Sequence, residues 1–275
     1  MSRPAIDLSA HINQSIEKGE AASFPVSLRP IRFDDYGEFR TIPNRYAVVR
    51  TDKRVPLTVV SNRYRLIQHP EILRVVERAL EPLDLGPVPR GIYVDRGGAR
   101  MRAVYKFPSL ATAVLGNDEV CPCLKIQNTY DGQSRISVHI GAFRFVCTNL
   151  AVGGGGVFAG GFMSVHAGEI RIEEIEKQLV TYLTGFDAIV ALYRTWTEKR
   201  IVPDELEQIL AEFPKRAAVA IRERAGSGGG EKTVYAAYNA ATWFATHEMR
   251  SFRGAFELLA RINRAFQGRF PRGEE

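Results

Sequence analysis

Two turn sequences, each set between runs of alternating apolar residues, constrain this chain more than any other feature. Val88 to Val94 and Arg100 to Phe107 flank Asp95-Arg-Gly-Gly, where glycines supply the positive φ that a tight hairpin turn requires. Val120 to Thr129 and Ser134 to Val146 flank Tyr130-Asp-Gly-Gln, and Asp-Gly between such runs is a strong short-range hairpin signal. Two successive hairpins predict a four-stranded antiparallel meander with one apolar face that something must cover.

The cover follows in the sequence. Ile172, Ile175, Leu179, Tyr182, Leu183, Phe186, Ile189, Val190 and Tyr193 recur at three- and four-residue steps and predict one long helix beginning near Glu169. Glu169, Glu173, Glu174 and Glu176 crowd its start, and Arg194, Lys199 and Arg200 its end, in the sense the macrodipole favours. Pro203 opens a short helix, Gly226-Ser-Gly-Gly-Gly breaks the chain, and two helices over about 231–248 and 252–267 follow. The last carries Phe252, Phe256, Leu259, Ile262 and Phe266 on one stripe, with Arg253, Arg261 and Arg264 largely off it. The expected class is α+β: an antiparallel β-meander sheet in the N-terminal half, covered by a long helix and a C-terminal helical bundle.

Ahead of the meander, Phe24 to Arg65 reads as strands, rich in β-branched residues, with Pro43 and Pro56 marking breaks. Pro70 then opens a short amphipathic helix whose face is Ile72, Leu73, Val76 and Leu80. The resulting organisation is an N-terminal arm (1–22), a sheet region (23–152), a glycine-rich hinge (153–168) and a helical region (169–275) integrated with the sheet. Six glycines between 153 and 161 make that hinge too permissive for regular structure.

With 45% hydrophobic and 25% charged residues the chain is neither disordered nor fibrous in composition. No apolar run is long enough to cross a bilayer, and an N-terminus with Asp7 and His11 lacks the apolar core of a signal peptide, so the cytoplasm is the expected location and no membrane partner is expected. Cys121, Cys123 and Cys147 form an odd set that argues against a disulfide framework. A Cys3His zinc site could be drawn with His139 or His166, but this spacing matches no common zinc module. The simpler reading puts Cys121 and Cys123 on one strand face as small core residues, with no metal and no cofactor.

Catalytic signatures are wanting. No Gly-x4-Gly-Lys-Ser/Thr string exists, the glycine cluster lacks an acidic ribose partner, and no Gly-x-Ser-x-Gly elbow presents a nucleophile. The best set for a metal-dependent nuclease is Asp118, Glu119, Lys125 and Asp131, yet turn chemistry accounts for all three acids. Each histidine reads as a polar surface or capping residue.

Charge is more telling. Residues 1–110 hold 18 Lys and Arg against 12 Asp and Glu, whereas the remainder holds 19 of each, so the net +6 sits in the first part. Aromatics lie between the arginines there: Arg32, Phe33, Tyr36, Phe39, Arg40, Arg45, Tyr46, Arg50, Lys53, Arg54, Arg63, Tyr64, Arg65. A groove holding a nucleic-acid strand needs cations for phosphates and flat rings for bases. The competing reading turns the rings inward on strands while arginines face water.

Gln127-Asn-Thr-Tyr-Asp-Gly-Gln-Ser followed by Gly141-Ala-Phe-Arg-Phe-Val-Cys-Thr-Asn149, Val60-Ser-Asn-Arg-Tyr-Arg-Leu-Ile-Gln68, and Tyr235-Ala-Ala-Tyr-Asn-Ala-Ala-Thr-Trp-Phe-Ala-Thr-His247 together resemble the phage- and plasmid-borne proteins grouped as domain of unknown function 932. The resemblance implies no activity. The order of sheet and long helix is also similar to the core of ring-forming single-strand annealing proteins, at the level of fold alone.

The function expected is non-catalytic binding of single-stranded nucleic acid, DNA in preference to RNA, by a homo-oligomer serving strand annealing in recombination or replication of a phage or mobile element. The residues expected to carry it are Arg45, Arg50, Lys53, Arg54, Arg63, Tyr64, Arg65, Arg100, Arg102, Lys106 and Arg144. The alternatives are a protein-interaction factor, in anti-defence or assembly, and a divergent metal-dependent nuclease.

Overall fold

The computed structural model describes residues 22–131, 136–144, 150–152, 163–165, 172–226, 232–249 and 252–271. Two antiparallel sheets occupy the N-terminal half and helices the C-terminal half, as expected for an α+β chain.

The first sheet has three strands in the order β1 (Val26–Asp35), β2 (Glu38–Arg50), β3 (Val55–Ser61). Pro43 and Pro56 lie inside strands rather than between them. The β1–β2 register shifts between Pro30 and Arg32, opposite the stretch holding Pro43, and the β2–β3 register shifts between Val48 and Val49, opposite Pro56. A residue without an N–H is tolerated at such irregularities, so the prolines mark local bulges and the strands continue through them.

After α1 (His69–Leu80), which buries Ile72, Leu73, Val76 and Leu80, comes the predicted meander. Its strands are β4 (Arg90–Asp95), β5 (Arg100–Lys106), β7 (Asp118–Thr129) and β8 (Ile136–Arg144), hydrogen-bonded in that order. Among the described residues three short strands enlarge it to seven. β6 (Thr112–Leu115) pairs with the start of β7, while β9 (Leu150–Val152) and β10 (Met163–Val165) both pair with β8. Met163–Val165 falls within the stretch read as hinge, and the glycine run at 153–161 lies outside the described residues, as do the N-terminal arm up to residue 21 and Cys147.

The expected long helix is two helices, α2 (Ile172–Thr184) and α3 (Phe186–Glu198), parted at Gly185; the predicted start at Glu169 lies outside the described residues. Glycine is the weakest helix former short of proline, and the Thr181 and Thr184 hydroxyls donate back to the carbonyls of Lys177 (2.8 Å) and Val180 (2.9 Å), a bond that bends helices. Then come α4 (Pro203–Leu210), α5 (Lys215–Gly226), α6 (Val234–His247) and α7 (Phe252–Arg269). One core joins Met101, Ala103 and Tyr105, Leu124 and Ile126, and Val138 and Ile140 of the large sheet to Leu179, Tyr193, Trp196, Tyr238 and Phe266 of the helices. Inside it the Tyr238 hydroxyl donates to Asn263 Oδ1 (2.5 Å), so Tyr193 must be the donor to Tyr238 across their 3.1 Å contact. Cys121 and Cys123 share the opposite face of β7, fully buried with Val104 and Phe143, as small core residues.

The two sheets meet at His69, the first residue of α1. Its ring stacks on Tyr130 (4.1 Å between centroids) and meets Phe24 edge-on (5.7 Å). Asn128 Nδ2 lies 3.1 Å from Nδ1 and can only donate, so the proton sits on Nε2 and goes to the Gly98 carbonyl (3.0 Å). The Tyr130 hydroxyl accepts the His69 backbone N–H (2.7 Å), and the Tyr64 hydroxyl donates to the Thr129 carbonyl (3.3 Å).

Candidate nucleic-acid interface

Pleating gives the small sheet two unlike faces. Register places Leu28 opposite Val48 and Tyr46 opposite Val60, and this face packs with Phe24 and Tyr130. The next residues along face the other way: Arg29 and Val59 both lie opposite Ala47, and Arg45 lies opposite Ser61. Arg29 and Arg45 are exposed there, Val59 is 58% exposed, and a bond from Arg29 Nε to Ser27 Oγ (3.2 Å) leaves most of that guanidinium available.

The β2–β3 turn adds Lys53 and Arg54, and the chain leaving β3 adds Arg63 and Arg65, all exposed. From residue 44 to residue 65 the acid present is Asp52, and Arg50 occupies it with Nε at 2.8 Å and Nη2 at 2.9 Å. That bond is the leading cause holding the Asp52 carboxyl below its ordinary range. Arg50 itself is spent: Nη1 donates to the Gly97 carbonyl and the guanidinium covers the Phe24 ring at 3.8 Å.

The structure therefore divides the expected residues. Arg45 lies on the exposed face of the small sheet, Lys53 and Arg54 in its β2–β3 turn and Arg63 and Arg65 on the chain leaving β3, and all five are exposed. Arg100 bonds Asp131 (2.5 Å), a carboxylate 8% exposed, and Arg102 pairs with Asp95 (3.2 Å), burial lowering its pKa. Arg144 grips both oxygens of Asp118 at 2.5 Å, and the Tyr235 hydroxyl donates to the same carboxylate at 3.0 Å. Lys106 sits over the Phe143 ring at 3.9 Å, and Tyr64 is committed to the joint between the sheets, where burial pushes its pKa up to about 12. Removing a buried carboxylate's partner is costly, so these cations serve the fold first.

The nuclease set does not converge. Asp118 begins β7 and Asp131 lies beyond its end, roughly 40 Å apart at about 3.3 Å per strand residue. Lys125 is buried in the middle of β7, where desolvation pushes its ammonium down to about 7. Among the described residues no three His, Cys, Asp or Glu side chains are grouped to hold a metal, and no helix is long and apolar enough to cross a membrane.

Sequence reasoning passed over Arg29, whose signal was its place two residues from Ser27 in an alternating strand. It also expected aromatics beside the cations, whereas the exposed rings Phe33, Tyr36 and Phe39 cluster at the far tip of the β1–β2 hairpin.

One protein-family model, described as Domain of unknown function (DUF932), matches residues 56–267. No curated protein and no solved structure matches the chain. The match begins within β3, so Arg63 and Arg65 lie inside it while Arg29, Arg45, Lys53 and Arg54 precede it.

Proposed function

The chain belongs to the DUF932 family, a membership that leaves its activity open, and from that premise we propose that it binds single-stranded nucleic acid across the exposed face of its three-stranded sheet. The observation that carries this is the disposition of charge: Arg29, Arg45, Lys53, Arg54, Arg63 and Arg65 are exposed around one small sheet whose nearest acid, Asp52, is already neutralised by Arg50. An unbalanced cationic surface attracts a polyanion through counterion release. From Arg45 to the Lys53–Arg54 turn the cations are spread over the last six residues of β2, roughly 17 Å, and the turn beyond it, enough for successive phosphates to meet successive cations.

This face holds Ser27, Ala47, Val49, Val59 and Ser61 between its arginines and no ring, so binding is electrostatic and indifferent to sequence. Affinity in the range of non-specific complexes follows, a Kd on the order of 10⁻⁴–10⁻⁶ M at physiological salt. Holding strands for annealing or replication of mobile DNA would suit such a surface, and DNA is the first strand to try.

The test is titration of a labelled single-stranded oligonucleotide at two salt concentrations. About five phosphate contacts give a slope of roughly −3.5 in log K against log salt, hence about a 100-fold loss of affinity between 50 and 200 mM. Absence of binding at low salt and micromolar protein, or binding indifferent to salt, would refute the proposal.

A further inference from the structure

Beyond the reach of β3, β1 and β2 continue as a two-stranded ribbon from Arg32 to Thr41, with Arg32 opposite Thr41, Phe33 opposite Arg40, Asp34 opposite Phe39 and Asp35 opposite Glu38. A ribbon of two strands alone is marginal in water, and this one exposes an aromatic on each face, Phe33 at 46% and Phe39 at 74%, with Tyr36 fully exposed at the apex. Tyr36 and Gly37 form the turn with φ of 53° and 92°. The first position of such a turn favours Asn, Asp or Gly, and a bulky side chain there is strained. The ring is thus displayed at a cost to the isolated chain.

The two faces differ in how their charges are met. On the Phe33 face, Arg40 is held by Asp35 (2.8 Å) and lies 3.8 Å from Glu38. On the Phe39 face, Arg32 and Asp34 stand two residues apart on one strand; Asp34 Oδ1 accepts only the turn N–H of Gly37 (2.7 Å) among the bonds described. That face carries one cation, one anion and one exposed ring. Two copies related by a two-fold axis can therefore set Arg32 of each against Asp34 of the other, with the Phe39 rings between them. Such self-complementarity is what an isologous contact demands.

We infer that the Phe39 face of the β1–β2 ribbon is a docking surface for the same face of a second copy of this chain. A nucleic-acid strand fits it less well, because Asp34, Asp35 and Glu38 outnumber Arg32 and Arg40 at the tip. Rings of roughly 150–250 Å² each bury less than the ~1,200 Å² of a standard interface, so the pair is weak and its population depends on concentration. The inference stands apart from the proposal on nucleic acid, and its test contains none.

The experiment is sedimentation equilibrium of the full chain from about 1 μM to about 1 mM. The mass should rise from the monomer's 30.7 kDa toward twice that. Arg32→Asp alone and Asp34→Arg alone should each stay monomeric, whereas an equimolar mixture of the two should dimerise, because each variant then faces its complement at both contacts. Phe39→Ser, which removes the exposed ring between the two copies, should weaken association at least several-fold without lowering the thermal midpoint. A chain monomeric throughout, a dimer indifferent to these variants, or a mixture no more associated than its components would overturn the inference.

Discussion

Gly98→Ala is expected to destabilise the protein by roughly 2–5 kcal/mol, combining the strain of a left-handed backbone with overpacking. Gly98 has φ +112°, and a Cβ added there would lie 2.7 Å from Phe24 Cζ, 3.0 Å from Phe24 Cε2 and 3.2 Å from Arg50 Nη1. The Phe24 ring cannot retreat freely, because the Arg50 guanidinium covers it and His69 stands at its edge. The Gly98 carbonyl also accepts the His69 Nε2 proton, so any backbone shift loosens the joint between the sheets. Gly97→Ala is the control: its φ is +68° but nothing lies within 4 Å of the added carbon, so only the backbone cost of about 1–2 kcal/mol remains. Urea unfolding of the two variants measures both, and equal losses would show that the Phe24–Arg50 packing is not the constraint we describe.

The second large effect is acid sensitivity through His69. Burial pushes its pKa down to about 4, the bond to Gly98 working weakly in the opposite direction, while an unfolded chain titrates near 6.5. The unfolded state therefore holds a proton that the folded state refuses between these values. Stability contributed by the neutral ring is complete above pH 6.5, declines as the pH falls, and is lost by about pH 4, a total of about 3 kcal/mol. Asn128 sharpens the effect, since its Nδ2 amide donates to His69 Nδ1 and the Ile67 carbonyl and cannot accept the second N–H that an imidazolium would carry on Nδ1. Unfolding free energies of the wild type and His69→Gln, compared from pH 7 to pH 5, should converge as the pH falls. Parallel curves would contradict this assignment.

What could be read in the sequence was local. Asp95-Arg-Gly-Gly and Asp131-Gly132 announce hairpins because turn chemistry is written in adjacent residues, and the stripe in α1 survives because Ile72, Leu73, Val76 and Leu80 are four residues of one helix. The joint was invisible for the opposite reason. His69 looks like a polar residue before Pro70, and its partners Gly98, Asn128 and Tyr130 lie between 29 and 61 residues away. Charge misled in the same manner: Arg100, Arg102 and Arg144 are basic in sequence, but register delivers each to a carboxylate on a neighbouring strand or turn. Gly185 stood inside a helical pattern that its neighbours maintained, so the apolar periodicity ran unbroken through the point where the helix parts. The exposed cations from Arg45 to Arg65 could be identified because Asp52 is the one acid in that stretch of sequence, and proximity in sequence is proximity in space along a hairpin.

The most direct measurement on the central claim is oligonucleotide affinity of a variant carrying Arg29→Ser, Arg45→Ser, Lys53→Ser and Arg54→Ser beside the wild type. All four residues are exposed and none supports a buried carboxylate, so unfolding should change by only about 0.5 kcal/mol per site. Each lost phosphate contact should lower the salt slope by about 0.7, and low-salt binding should fall at least about 100-fold. An affinity within about twofold of the wild type, with the slope unchanged, would mean that the strand, if bound at all, lies elsewhere.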